Sequence, residues 1–185
     1  MSASTRRYPG FESPEPALNQ AVAWAIRRAG GHLRADPASR HDLEWAGSEF
    51  AELLDTARRW QRIRGSGVLE PEEFLAQVVG GLWGARIDGV GGRLQLAPYL
   101  PPGWKGMSLR RLRAYRTVLD LDVRPRAEWV TVRIAVVFGP SLALELRVRN
   151  TATIARATVD EVPLAGPRVV FTVGLEHEVV FFFGA

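Results

Sequence analysis

The sequence predicts an α+β protein: a short helical segment of about three helices followed by an antiparallel β-sandwich. Three observations predict it. Up to about residue 84, apolar residues recur every three or four positions, the period of an amphipathic helix. Beyond it they recur every second position, the period of a strand with one face buried. The 185 residues, 46% of them hydrophobic, are enough for one ordinary core. The change of period divides the chain into a helical prefix with a flexible lead-in, 1–84, and a β-sandwich domain, 85–185.

The lead-in is punctuated by Pro9, Gly10, Ser13, Pro14 and Pro16, and its Arg6 and Arg7 are followed by no apolar run of the kind a secretory signal needs. Leu18, Val22, Ala25 and Ala29 then form one face of a helix that Gly30-Gly31 stops. A second, longer helix is marked by Leu43, Ala46, Phe50, Leu53, Leu54, Ala57, Trp60 and Ile63. Ser39 and Asp42 resemble a capping box at its start, and Gly65-Ser66-Gly67 ends it. The third begins at Pro71, with Glu72 and Glu73 where the helix dipole favours acids. It carries Phe74, Leu75, Val78, Val79 and Leu82.

The strands follow. Leu119, Leu121 and Val123 alternate with Asp120 and Asp122; Val130, Val132, Ile134 and Val136 alternate with Thr131, Arg133 and Ala135. Leu142, Leu144, Leu146 and Val148 alternate with Ala143, Glu145, Arg147 and Arg149. Val169, Phe171, Val173 and Leu175 precede a last turn, and Val179, Phe181 and Phe183 follow it. Arg124-Pro125, Gly139-Pro140, Asn150, Gly166-Pro167 and Gly174 separate the runs. One wet face and one apolar face per strand point to two sheets packed together, in preference to a meander barrel.

Composition narrows function mainly by exclusion. With no cysteine there is no disulfide scaffold, thiolate catalysis or Cys-ligated metal. No apolar run approaches the ~20 residues that span a bilayer, so no membrane partner is expected, and a cytoplasmic location is the default. The net charge is +4 and the pI about 10.3, with Lys105 the only lysine. The arginines are spread along the chain beside acids. Even the densest group, Arg110, Arg111, Arg113 and Arg116, is broken by Leu109, Leu112 and Tyr115, so no nucleic-acid partner is expected.

The most distinctive string joins the halves. It runs Gly81-Leu82-Trp83-Gly84-Ala85-Arg86-Ile87-Asp88, then Gly91-Gly92-Arg93-Leu94-Gln95-Leu96-Ala97-Pro98-Tyr99-Leu100-Pro101-Pro102-Gly103-Trp104. Gly80, Gly81 and Gly84 are expected to let a helix stop beside packed aromatics, Leu94 and Leu96 to point inward, and Trp104 to anchor the connection against the sandwich. The string, with Leu109-Arg110-Arg111-Leu112-Arg113 after it, resembles the junction in bacterial (α/α)6-barrel glycoside hydrolases of the glycogen-debranching, glucoamylase-like and rhamnosidase-like kind. There the last barrel helix ends and the chain enters a C-terminal β-sandwich. Gly174-Leu175-Glu176-His177-Glu178-Val179-Val180 is similar to the closing strands of such modules. The resemblance covers about 74–185.

In that family the catalytic carboxylates project from the barrel, on opposite sides of one sugar. Such a barrel takes several times the three helices patterned here, and no barrel motif matches, so no catalytic residue is assigned. The resemblance implies a non-catalytic C-terminal-type module acting as a structural or partner-packing domain. The alternatives are a subunit or fragment of a split glycoside hydrolase, with a protein partner covering the helical apolar face, and a stand-alone carbohydrate-binding module.

The remaining candidates have ordinary readings. Asp42, Glu44 and Glu49 beside Trp45 and Phe50 have the residue types of a sugar site, but equally those of a solvated helix start. Glu72 and Glu73 complement a helix dipole. His32, His41 and His177 lack ligand spacing, so no metal is expected, and His177 is expected to decorate a turn or an exposed strand face. Asp88-Gly89-Val90-Gly91-Gly92 follows a helix and precedes a strand, the reverse of a dinucleotide-binding loop, so no cofactor is expected. Ser108, Ser141 and Thr153 lack a nucleophile-elbow context. Of the six tryptophans, Trp24, Trp60 and Trp83 are expected in the core or an interface, while Trp129 opens a strand and is open to either reading, a core residue or an exposed ring that stacks on sugar.

Overall fold

The computed structural model describes residues 9–35, 47–63, 70–88, 92–149, 153–164 and 166–184. Strand β1 (Gly10–Glu12) leads into helix α1 (Pro16–Arg28), whose first position is the proline. Asn19 ties down the entry: its Oδ1 accepts from the Ser13 N–H at 2.9 Å and its Nδ2 donates to the Ser13 carbonyl at 2.8 Å. Of the predicted stripe Leu18, Val22 and Ala25 are fully buried, Ala29 lies just past the helix end and is partly buried, and Gly30 and Gly31 follow in left-handed conformations. Strand β2 (Leu33–Arg34) follows.

Helix α2 (Gly47–Ile63) buries Phe50, Leu53 and Ala57. Its expected start, Ser39 to Ala46, and its expected stop, Gly65-Ser66-Gly67, lie outside the described residues. Trp24 of α1 meets Trp60 of α2 with ring centroids 5.2 Å apart. Helix α3 (Pro71–Ala76) does not stay α-helical to Leu82 as the periodicity predicts: it widens into a π-helical segment, Gln77–Leu82. The Trp83 N–H reaches the Val78 carbonyl, five residues back, at 3.1 Å. Gly80 and Gly81, expected to stop the helix, sit inside the widened turn, because a backbone without Cβ tolerates the dilation.

The sandwich is built from β3 (Arg86–Asp88), β4 (Arg93–Leu96), β5 (Met107–Ala114), β6 (Thr117–Pro125) and β7 (Trp129–Phe138). It continues with β8 (Leu142–Arg147), β9 (Ile154–Val159), β10 (Val162–Leu164), β11 (Arg168–Val173) and β12 (Glu176–Phe183). One sheet runs β1-β5-β6-β7-β12-β9-β10, with β2 on β5, and the other runs β11-β8-β4-β3. Pairing is antiparallel except at β2–β5 and β4–β8.

The inner faces carry the predicted residues: Leu119, Leu121, Val130, Val132, Leu144, Leu146, Val179 and Phe181 are fully buried or nearly so. Leu175 departs from the pattern. Its strand ends at Val173, and the side chain stands in the β11–β12 turn with 80% of its surface exposed. The helical stripes and the inner faces of both sheets belong to one buried cluster. Among the described residues, none of the large hydrophobics left exposed lies on a helix. Also among them, no helix is long and apolar enough to cross a membrane.

Candidate functional site

The helix-to-sheet junction is held by one arginine. Arg149 follows β8 and sends its guanidinium back to the carbonyls of Ala97 (2.5 Å), Gly81 and Leu82. The backbone reinforces the clamp: the Ala97 N–H donates to Trp83, Tyr99 to Leu82 and Arg149 to Pro98. Gly84 is required here, because its φ is +56° and a Cβ would lie 2.5 Å from the Ala97 carbonyl oxygen. The junction string is therefore a packed joint. Trp83 is fully buried, and Trp104 meets Phe50 of α2 edge-on at 5.3 Å, so the expected anchor is made against a helix.

The outer face of the large sheet is different in character. A trough of about 670 Å³ crosses β5, β6, β7 and β12, lined by Arg110, Arg124, Arg126 and Arg133 together with Asp120, Asp122, Glu176 and Glu178. Alternation puts these side chains outward, and register puts them in rows, with Ser108, Asp122, Arg133 and Glu178 paired across four strands. Asp122 takes a two-pronged contact from Arg124 at 2.7 and 3.1 Å. Arg133 donates to Glu178 at 2.7 Å, and Arg110 lies 3.8 Å from both Asp120 and Asp122. Hydrogen bonding and charge from Asp122 hold Arg124 above the ordinary arginine range, and Glu178 does the same to Arg133. Trp129, 36% exposed, lines the trough with Thr131.

On the small sheet, Glu145 stands on the face expected to be wet yet is only 8% exposed. Arg168 from β11 (2.7 Å) and Arg93 from β4 (3.4 Å) close over it, which is why the carboxylate is covered. The pattern of β8 shows Glu145 as a polar-face residue; it does not show that two arginines converge there.

Few of the other sequence candidates come together. Asp42, Glu44, Trp45 and His41 lie outside the described residues, as do Gly89 to Gly91. Glu49 accepts from the Ser48 hydroxyl at 2.9 Å, one residue from buried Phe50. Glu72 shares a cavity of about 320 Å³ with His32 and Arg34, between the end of α1 and the π-helical segment. His177 is half-buried, with Nδ1 2.6 Å from Asp160 and its ring edge-on to Phe171. The Glu178 N–H, followed by His177, holds the Asp160 carboxyl below the usual range. Among the described residues no group of three or more His, Asp or Glu side chains is placed to hold a metal ion. Ser108 is buried without a hydrogen-bond partner, and Ser141 and Thr153 are exposed. The arginine-rich run is dispersed: Arg110 faces acids, Arg111 lies on a bulge, and Arg113 and Arg116 are exposed.

Helices sealed onto a two-sheet sandwich through a packed joint define an α+β sandwich module. The particular likeness is to the glycosyl hydrolase family 65, C-terminal domain, whose model matches residues 88–154, a little over a third of the chain. The match runs from the end of β3 to the first residue of β9. No curated protein matches the chain.

Solved structures with similarity include an alpha-L-rhamnosidase from Dictyoglumus thermophilum, at 11% identity and a TM-score of 0.43, covering 63% of this chain and 15% of that one. A GH127 beta-L-arabinofuranosidase from Geobacillus Stearothermophilus T6 gives 12% and 0.42, covering 62% of this chain and 19% of that one. The Streptomyces avermitilis alpha-L-rhamnosidase gives 12% and 0.37, covering 62% and 12%. The chain thus spans less than a fifth of the length of each of these enzymes.

Proposed function

We propose that the chain is a non-catalytic packing module of a glycoside hydrolase assembly. The observation that carries this reading is the family match, which falls on sandwich strands and on no helix. The charged groups support it, because the best-placed acids, Asp122, Glu145 and Glu178, are all engaged by arginines. A glycosidase needs two carboxyls facing each other across a sugar, and these three are each turned onto an arginine instead. The helical stripes are spent inside the chain, on the sheets and on one another. Of the large hydrophobics left exposed among the described residues, Phe138 (71%), which closes β7, and Leu175 in the β11–β12 turn are the most open. The Leu175 carbonyl accepts from the Val136 N–H at 2.6 Å. These two side chains are suited to packing against the rest of a hydrolase.

The test is an assay of the purified chain on α-glucan and rhamnoside substrates. The packing role predicts no turnover; turnover with no other protein present overturns it.

A further inference from the structure

We infer that the trough on the outer face of the large sheet binds a neutral oligosaccharide, with Trp129 as the surface on which a sugar ring rests. The inference goes beyond the packing role and does not depend on it.

Charge chooses the ligand class. Four arginines face four acids in the trough, so the site as a whole carries no net charge. A polyanion such as nucleic acid would meet as many carboxylates as guanidiniums, and an inorganic anion would have to displace existing ion pairs. The lining is too polar for a lipid or an amphipathic helix. The floor is made of strands paired on both sides, so no free edge is available to a peptide in extended form.

What the trough offers is planar, forked hydrogen-bonding groups beside an indole, on a rigid floor. Carboxylates and guanidiniums in fixed orientation suit vicinal hydroxyls, and an aromatic surface suits the C–H face of a sugar ring. Orientation is already fixed by the Arg124–Asp122 fork and the Arg133–Glu178 pair. Two groups are spare: among the described residues, the Arg126 guanidinium and the Thr131 hydroxyl have no side-chain partner, and both line the trough with Trp129. The volume, about 670 Å³, falls within the range of small-molecule sites, roughly 300–1,000 Å³.

The test titrates the full chain with maltoheptaose, cellohexaose and mannohexaose, and with oligogalacturonate as an anionic counterpart, while amide shifts are mapped. The expected result is saturable binding of at least one neutral probe, with Kd on the order of 0.1–1 mM. The shifts should centre on Thr131, Arg133 and Glu178. Trp129→Ala should weaken binding about five- to tenfold. Three results would overturn the inference: no saturable binding of any neutral probe, preference for the anionic one, or shifts confined to another face. The shift map uses the unaltered protein, so it decides the matter even if Trp129→Ala misfolds.

Discussion

Arg149 hydrogen-bonds the carbonyl of Gly81, 68 positions earlier in the chain. One side chain thereby fastens the end of the π-helical segment to the end of β8, and it also takes the carbonyls of Ala97 and Leu82. The carbonyls it satisfies lie at a joint where water has little access, since Trp83, Gly84 and Ala97 are all buried.

Removing that guanidinium takes away the side-chain donor to the Gly81 and Ala97 carbonyls, while the Leu82 carbonyl keeps the Tyr99 N–H. Arg149→Ala is expected to lower unfolding free energy by about 2–4 kcal/mol, measured by denaturant titration. Arg149→Lys should recover only part of it, because an ammonium cannot reproduce the fork. Full recovery by lysine would show that charge alone matters at the joint.

Gly84 and Gly31 form a matched comparison. Both have positive φ, but a Cβ at Gly84 would collide with Ala97 whereas one at Gly31 meets nothing within 4 Å. Gly31→Ala should cost about 1 kcal/mol, the conformational term alone, and Gly84→Ala about 2–4 kcal/mol. Thermal melts of the two variants should separate them clearly; equal shifts would contradict the close approach.

Glu145 is the most covered of the ion-paired carboxylates. Its removal leaves two arginines facing each other, so Glu145→Ala should cost about 1–3 kcal/mol. Arg168→Ala, at the better-exposed end of the pair, should cost less, about 0–1 kcal/mol. The reverse order in equilibrium unfolding would mean that the arginine stem, rather than the carboxylate, closes that face.

Asp160 gives the molecule an acid-sensitive contact. Its carboxyl is held below the ordinary 3.8 first by the Glu178 N–H and then by His177. The folded chain thus releases this proton more readily than the unfolded chain. The resulting stability is fully present above the ordinary value and is lost as pH falls through the lowered one. Asp160→Asn should therefore flatten the decline in stability below about pH 4. An unchanged acid limb, followed by circular dichroism, would show the contact to be thermodynamically idle.

The strands were the most legible part of the chain. Leu119, Leu121, Val130, Val132, Leu144 and Leu146 are buried as their alternation implies, because a strand turns every second residue the same way whatever it packs against. The junction was partly legible. Gly84 marked a close approach, while the π-helical turn did not show, since widening a helix by one residue leaves the apolar pattern Val78, Val79, Leu82 intact. Trp129 could not be placed from sequence because a residue opening a strand has no neighbour on one side to fix its burial.

By itself, then, the sequence determined the change of period, the ends of α1, the inward residues of most of the strands it marked and the resemblance across the junction, but not β1, β2, β9 or β10. What it determined depends on local backbone geometry and on the chain's own apolar spacing. Tertiary structure alone decided which polar residues meet: Arg149 with Gly81, Glu145 with Arg93 and Arg168, Arg133 with Glu178. Those partners lie between 23 and 68 residues apart. Only the strand order and register bring them within hydrogen-bonding distance, and no periodicity encodes either.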